Sequence, residues 1–421
     1  MTSFQYQNRQ LCAEDVSLSQ IATSIGTPVY VYSAATLIDN FTAYTSAASG
    51  LDHLIAYSVK ANSNLAVLSL LAKAGAGADV VSGGELVRAL RSGIDPQKIV
   101  FSGVGKTQEE MRAALKAGIY QFNIESVPEL LSLNSVALDM GKIAPIALRI
   151  NPDVDAGGHE KISTGKAENK FGIDIRLARD VYTTILDLPG IAVQGVDMHI
   201  GSQIETLAPF EMAMDKILDL IMTLRADGHN ITTYDVGGGL GIRYDKSTAD
   251  HPPSPIEYGK MVTDKLQAHQ LKVIFEPGRS IAGNAGVLLS KIQYIKSGGA
   301  RTFLILDAAM NDFIRPSLYG AHHGVDPVDE GASGETVDYD IVGPVCETGD
   351  TFATLRTMPK MAQGQLVAIG QAGAYGAVQA CEYNTRALVP EVLVSGNRFD
   401  IIRKRPSIDE ILQAETVPDW I

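Results

Sequence analysis

From about residue 30 to about residue 280 the chain alternates short apolar runs with longer stretches whose apolar positions recur every three or four residues. A short β-favouring run followed by an amphipathic helical stretch is one βα unit, and its repetition predicts a parallel sheet. Eight candidate strands lie near residues 53–58, 78–81, 98–101, 119–122, 144–150, 193–199, 231–236 and 272–276. Helical patterning stands out from Leu65 to Ala74, Glu109 to Ala117, Phe210 to Ala226 and Tyr258 to Ala268. Eight such units close a (β/α)8, TIM-like barrel. The polar residues that interrupt the pattern sit at strand ends: Lys60, Arg149, His199, Gly237 and Glu276. In a barrel of this kind the carboxyl-terminal rim is where chemistry is assembled.

After Arg279 the period changes. The runs Gly286 to Tyr294, Thr302 to Asp307, Val337 to Val342, Leu366 to Ile369 and Glu391 to Val394 are β-rich and separated by Gly and Pro turns, predicting a second, all-β domain. Residues 1–30 lie outside the βα repeat and are expected to join it as a strand and a short helix leading into Pro28-Val29-Tyr30-Val31-Tyr32. The division expected is a barrel over 31–280 and a β domain made of 1–30 and 281–421. Residues 320–335, rich in Gly, Asp and Pro, read as a long loop carrying His322-His323. Adjacent residues on an extended segment point to opposite sides, so this pair is expected to be solvated and not to ligate a metal.

Charge narrows the partners. With 48 Asp and Glu against 35 Lys and Arg, the net charge of -13 argues against nucleic acid and for small-molecule chemistry. Cys12, Cys346 and Cys381 are too few and too scattered for a disulfide framework or a zinc site. The first residues have no basic, then apolar, leader pattern, and no apolar run is long enough to span a bilayer. A cytoplasmic protein without membrane contact is the expectation.

The strand-end residues match the needs of a pyridoxal phosphate site. Lys60, in Tyr57-Ser58-Val59-Lys60-Ala61-Asn62, offers an amine for the cofactor aldehyde; an ion-pair lysine would look the same. Gly237-Gly238-Gly239-Leu240-Gly241 follows the seventh strand, where backbone N–H groups commonly cup a phosphate, or where a loop is merely flexible. Glu276 ends the eighth strand and suits a pyridine nitrogen, or an ion pair with Arg279. His199 suits stacking on the ring, or a place in the core. A lone cysteine in a β domain such as Cys346 is more often a small buried hydrophobe, a reading only its surrounding motif reverses; with no histidine or cysteine at ligand spacing beside it, no metal is expected.

Taken in order, these motifs, together with Ala78 to Leu86, Glu276-Pro277-Gly278-Arg279, Asn169-Lys170-Phe171-Gly172, Arg315 to Tyr319, Cys346-Glu347-Thr348-Gly349-Asp350 and Gly373-Ala374-Tyr375-Gly376, resemble the fold-type III, alanine-racemase-like pyridoxal phosphate decarboxylases. Within that group the likeness is greatest to the diaminopimelate decarboxylases, and it spans nearly the whole chain. Ser58, where a small apolar residue is expected, and Thr348, where serine is usual, are slight departures.

The resemblance implies that Lys60 bonds the cofactor and His199 stacks on its ring. Gly237, Gly238 and Gly239, with Ser202, Arg279 and Tyr375, would hold the phosphate end, and Glu276 would pair with the ring nitrogen. Arg279, Arg315 and Tyr319, with Tyr375 nearby, would grip the distal carboxylate of meso-diaminopimelate, and Glu347 its distal ammonium. Cys346 would be the acid that protonates the carbanion, reaching the site from the other subunit of a homodimer. Two arginines fit a substrate with a second carboxylate, because guanidinium binds it through a planar fork. The readings set against this are a decarboxylase for ornithine, arginine or carboxynorspermidine, an amino-acid racemase, and a non-catalytic regulator on the same scaffold.

Overall fold

The computed structural model of the chain describes residues 4–155, 170–245, 251–330 and 334–421. Asn169 of the Asn169–Gly172 motif and residues 331–333 of the expected loop lie outside the described residues. The chain divides into two compact units, one of Ile38–Arg243 with the stretch ending at Ile281, the other of the residues up to Leu37, Tyr244 with Asp245, and Ala282–Ile421.

The first unit is the expected barrel. Its strands are Asp52–Ser58, Gly77–Val80, Ile99–Phe101, Gln121–Ile124, Ala144–Asn151, Ile191–Asp197, Thr233–Asp235 and Lys272–Phe275. They pair in parallel in sequence order, and the eighth pairs with the first, closing the ring. The fourth strand lies two residues later than its apolar pattern suggests, because Ile119 and Tyr120 belong to the turn before it. Several helices begin on capping residues legible in the sequence. Thr107 and Ser254 each accept from the backbone N–H three residues on, while Glu110 and Glu257 reach back to the cap. Inside the barrel, Leu54, Ala56, Val100 and Ile274 form an apolar layer, with Tyr120 packed against it. The rim-side interior is polar, and that contrast locates the site.

The second unit is built on a mixed sheet in the order Thr351–Pro359, Thr336–Val342, Arg301–Leu306, Gly286–Gly298, Val29–Ser33, Glu391–Ser395 and Arg398–Arg403. Leu366–Ile369 adds to Gly286–Gly298 and to the short Val325–Pro327. Alternation explains its core: Val29 and Val31, Val287 and Leu289, and Val392 and Val394 project one face of three adjacent strands onto Leu11, Val16, Leu18 and Ile21. Tyr30 and Tyr32, on the opposite face, stack at 6.1 Å and donate to the Asp312 carbonyl oxygen and to Glu391 Oε2.

Three expectations change. The division between the units falls after Leu37 and not at residue 31, because Val29–Ser33 is a strand of the β sheet. The amino-terminal segment is not one strand and a helix; it is a three-stranded meander, Phe4–Gln7, Gln10–Ala13 and Val16–Ser17, before the helix Leu18–Ile25. The loop over 320–335 contains the strand Val325–Pro327.

Candidate active site

Lys60 rides on a single turn of 3-10 helix, Val59–Ala61, directly after the first barrel strand, so its side chain starts from the rim and stays one-third exposed. Its Nζ donates to Asp79 Oδ2 on the second strand. Asp79 is fully buried. Burial works against its charge, but the Lys60 ammonium and hydrogen bonds from Lys60, Ser58 and Ser102 outweigh it and hold its pKa below the ordinary carboxylate value. The Ser58 hydroxyl lies 2.9 Å from Asp79 Oδ2 and 3.0 Å from the Glu276 carbonyl oxygen. With one proton it donates to one of them at a time. The departure noted at Ser58 therefore adds a polar group to the wall behind Lys60.

His199 follows the sixth strand. Gly238 N–H donates to its Nδ1 at 3.2 Å, which puts the proton of the neutral ring on Nε2. Loss of solvent, then the positive charges of Arg149 and Lys60, pull its pKa down to about 3. A neutral aromatic face results. Arg149, at the end of the fifth strand, donates from Nη1 to Glu125 Oε1 at 2.7 Å and lies over the Phe171 ring at 4.9 Å. Glu125 also accepts from Gly103 N–H and Gly172 N–H, so Phe171-Gly172 is tied to this cation.

The glycine loop after the seventh strand is glycine for a packing reason as well. A Cβ on Gly237 would lie 2.2 Å from the Met198 carbonyl oxygen, and one on Gly238 2.2 Å from that of Glu276. Gly237 N–H donates to Asp235 Oδ1 at 3.0 Å and Gly238 N–H to His199. Of the three glycines expected to cup a phosphate, Gly237 and Gly238 thus direct their N–H groups to Asp235 and His199. Arg279, on the short helix after the eighth strand, donates from Nη2 to Ser202 Oγ at 3.0 Å.

Glu276 is buried beneath this rim. Burial first, then Asp235, Asp79 and Asp197, push its pKa well above the ordinary value, with Lys60 opposing. Asn123 Nδ2 stands 3.2 Å from Glu276 Oε1 and 3.2 Å from Asp235 Oδ2. Asp79, Asn123, Asp197 and Asp235 escaped the sequence reading. Their signal was a polar residue in or at the end of an otherwise apolar barrel strand, the same signal that picked out Arg149.

The remaining candidates lie in the β unit. Arg315, on the one-turn helix Arg315–Tyr319, is buried; its Nε donates to His323 Nε2 at 3.3 Å and its guanidinium lies over the rings of Tyr244 and Tyr319. His323 Nδ1 stands 2.9 Å from the Gly370 carbonyl oxygen, so Nδ1 carries the proton and Nε2 accepts. This corrects the expectation of a solvated histidine pair. His322 is on the surface, but His323 is 1% exposed, packed between Phe313 and Tyr244 with its Nε2 toward Arg315. Gln379 Nε2 donates to the Tyr319 hydroxyl at 3.4 Å. Tyr375 is half-buried at φ +55°. Cys346 and Glu347 are exposed at the tip of a tight loop, whose buried Asp350 accepts from Val345 N–H and Met310 N–H, both at 2.7 Å. That exposure sets aside the alternative of Cys346 as a small buried hydrophobe.

A closed parallel barrel with an amine on its rim, a neutral imidazole and a buried carboxyl below defines the class. Residues 34–283 match the family described as pyridoxal-dependent decarboxylase, pyridoxal binding domain. Across its full length the chain is 50% identical to the diaminopimelate decarboxylase of Zymomonas mobilis, covering 100% of both. It is 49% identical to that of Vibrio cholerae over 99% of each. The crystal structure of diaminopimelate decarboxylase from Helicobacter pylori complexed with L-lysine superimposes with a TM-score of 0.90 at 38% identity, covering 94% of this chain and 98% of that one. The chain belongs to the diaminopimelate decarboxylases, a family of pyridoxal-dependent enzymes.

Proposed function

We propose that the protein removes one carboxylate of meso-2,6-diaminopimelate to give L-lysine and carbon dioxide, the last step of lysine biosynthesis. The observation that carries this reading is the Lys60–Asp79 pair at the mouth of a barrel whose eighth strand leads directly into the buried Glu276, in a chain half identical to a named diaminopimelate decarboxylase. The donor set suits pyridoxal phosphate: an amine for its aldehyde, a carboxyl for its nitrogen, and a loop so close to its neighbour that a Cβ on Gly239 would sit 2.5 Å from the Gly201 carbonyl oxygen.

When bound, the cofactor supplies an electron sink for the pair left by the departing carboxylate. The rest is the work of the chain. Lys60 would hold the cofactor through its amine, with Asp79 steering its Nζ. His199, neutral at working pH, offers its ring face. Gly239, Ser202, Arg279 and Tyr375 take the phosphate end, Gly237 and Gly238 shaping the loop. Arg315, set by His323, grips the distal carboxylate with Arg279, Tyr319 and Tyr375, and Glu347 reads the distal ammonium. Cys346, exposed at its loop tip, would deliver the proton to Cα from the second subunit of a homodimer. We place the protein in the cytoplasm; among the described residues no helix is long and apolar enough to cross a membrane.

Purified, cofactor-loaded protein is to be incubated separately with meso-diaminopimelate, ornithine and arginine. Lysine from the first and no diamine from the others is the expected result. Preferential turnover of ornithine or arginine would transfer the assignment to another decarboxylase of the same fold.

A further inference from the structure

Three carboxyl groups meet under the barrel rim. Oxygens of Asp197, Asp235 and Glu276, from the sixth, seventh and eighth strands, lie within 4.8 Å of one another, and all three residues are at least 96% buried. The donors around them are few. Asn123 Nδ2 lies near Asp235, Glu276 and Ser102 Oγ, Gly237 N–H serves Asp235, and the Ser102 hydroxyl stands 3.3 Å from Glu276. Asp197 Oδ1 is sealed from water with no hydrogen-bond partner. The nearest cations are committed elsewhere, Lys60 to Asp79 and Arg149 to Glu125, and those two carboxylates add further negative charge around the group.

Three anions cannot share such a space. Carboxyls this close and this deeply buried hold protons among themselves, as paired carboxylates do wherever they share a site. We propose that Asp197 and Asp235 are positioning residues that act through Glu276: kept as neutral acids beneath it, they confine the negative charge of the triad to Glu276, where the ring nitrogen of the cofactor meets it. Burial holds the Asp235 carboxyl up against the two N–H bonds it accepts, from Gly237 at Oδ1 and from Asn123 at Oδ2, whereas Asp197 Oδ1 has no donor to favour its charge. Removal from solvent raises the pKa of each of the three carboxyls, and their mutual repulsion reinforces the shift at Asp197 and Glu276. Titration of the group is therefore a property of the set, facing Asp79, Glu125, Lys60 and Arg149, and not of one residue.

This inference rests on the cofactor reading above, so its test has one arm that needs no cofactor. Infrared spectra of the full-length, cofactor-free protein at neutral pH, in water and in deuterium oxide, should show protonated-carboxyl stretches. Asp197→Asn and Asp235→Asn should each remove one of them while circular dichroism stays that of wild type. In the second arm, pyridoxal phosphate uptake is followed by visible absorbance from pH 6 to 9. An amide mimics the neutral acid but cannot ionise, so the pH at which wild type begins to lose the cofactor should move up by roughly one unit in each variant. The inference is overturned if no protonated-carboxyl band exists, if both folded variants keep every band, or if they lose affinity equally at all pH values. A divalent cation that co-purifies with wild type and is lost from Asp197→Asn would also overturn it, by showing an ion in place of the protons. A wild-type protein that shows the bands yet takes up no pyridoxal phosphate would sink the cofactor reading instead.

Discussion

Lys60 touches both the charge network of the barrel and its proposed chemistry. Lys60→Ala should abolish turnover and the visible absorbance of the lysine-bound cofactor while leaving the fold intact, since the change trims a rim residue; an unaltered spectrum and rate would remove Lys60 from the mechanism. Arg315 is held by His323 and stacked on aromatic rings, a geometry an ammonium cannot reproduce. Arg315→Lys, and Glu347→Gln for the distal ammonium, should each cost about 2–4 kcal/mol in kcat/KM for diaminopimelate if these groups meet the substrate desolvated. Steady-state kinetics on diaminopimelate and ornithine are the check, and an untouched substrate preference in both would mean the pocket is misassigned. Asp235 carries a sign that can be worked out. Its folded pKa is raised from 3.8 to about 7, so the stability it contributes is fully present below about pH 4 and is lost as the pH rises through 7. Thermal unfolding of the cofactor-free chain should show Asp235→Asn gaining on wild type between those pH values; a constant difference would refute the shift.

The glycine loop is the element on which the most depends. Gly237 has φ +67° and no room for a Cβ beside the Met198 carbonyl oxygen. Gly237→Ala should therefore destabilise the barrel by about 1–3 kcal/mol through backbone strain alone, with a further cost from the displaced strand end. Melting temperature and cofactor affinity should fall together. A variant that melts like wild type would show that the loop yields easily. Helix starts were legible because a cap and its partner stand three residues apart, as at Thr107 and Ser254. Strands of the β unit were harder. Thr351–Pro359 and Arg398–Arg403 are only partly buried and lack the apolar run that marks a buried strand.

At the scale of the whole molecule, the proposed sharing of sites across a two-fold dimer has an arithmetic consequence. Lys60→Ala and Cys346→Ala homodimers should each be nearly inactive. Dissociated, mixed in equal amounts and reassociated at random, half of the dimers are hybrids, each with one intact and one doubly damaged site, so about a quarter of wild-type activity returns. No recovery despite demonstrated subunit exchange would place both residues in one chain's site. The exposed tip carrying Cys346 and Glu347 is the feature of the β unit that suits such an exchange.

The hydrophobic period determined the βα repeat by itself, because a parallel strand buried on both faces must be apolar throughout and a helix against it must be apolar on one side. The same period exposed Lys60, His199 and Glu276, since a polar residue ending an apolar run has few places to go but the rim. Tertiary structure alone decided what those residues meet. Asp79 became the partner of Lys60, His323 the support of Arg315, and Asp197, Asp235 and Glu276 a single group, because the hydrophobic period gives the order of strands but not which polar side chains on neighbouring elements turn toward one another.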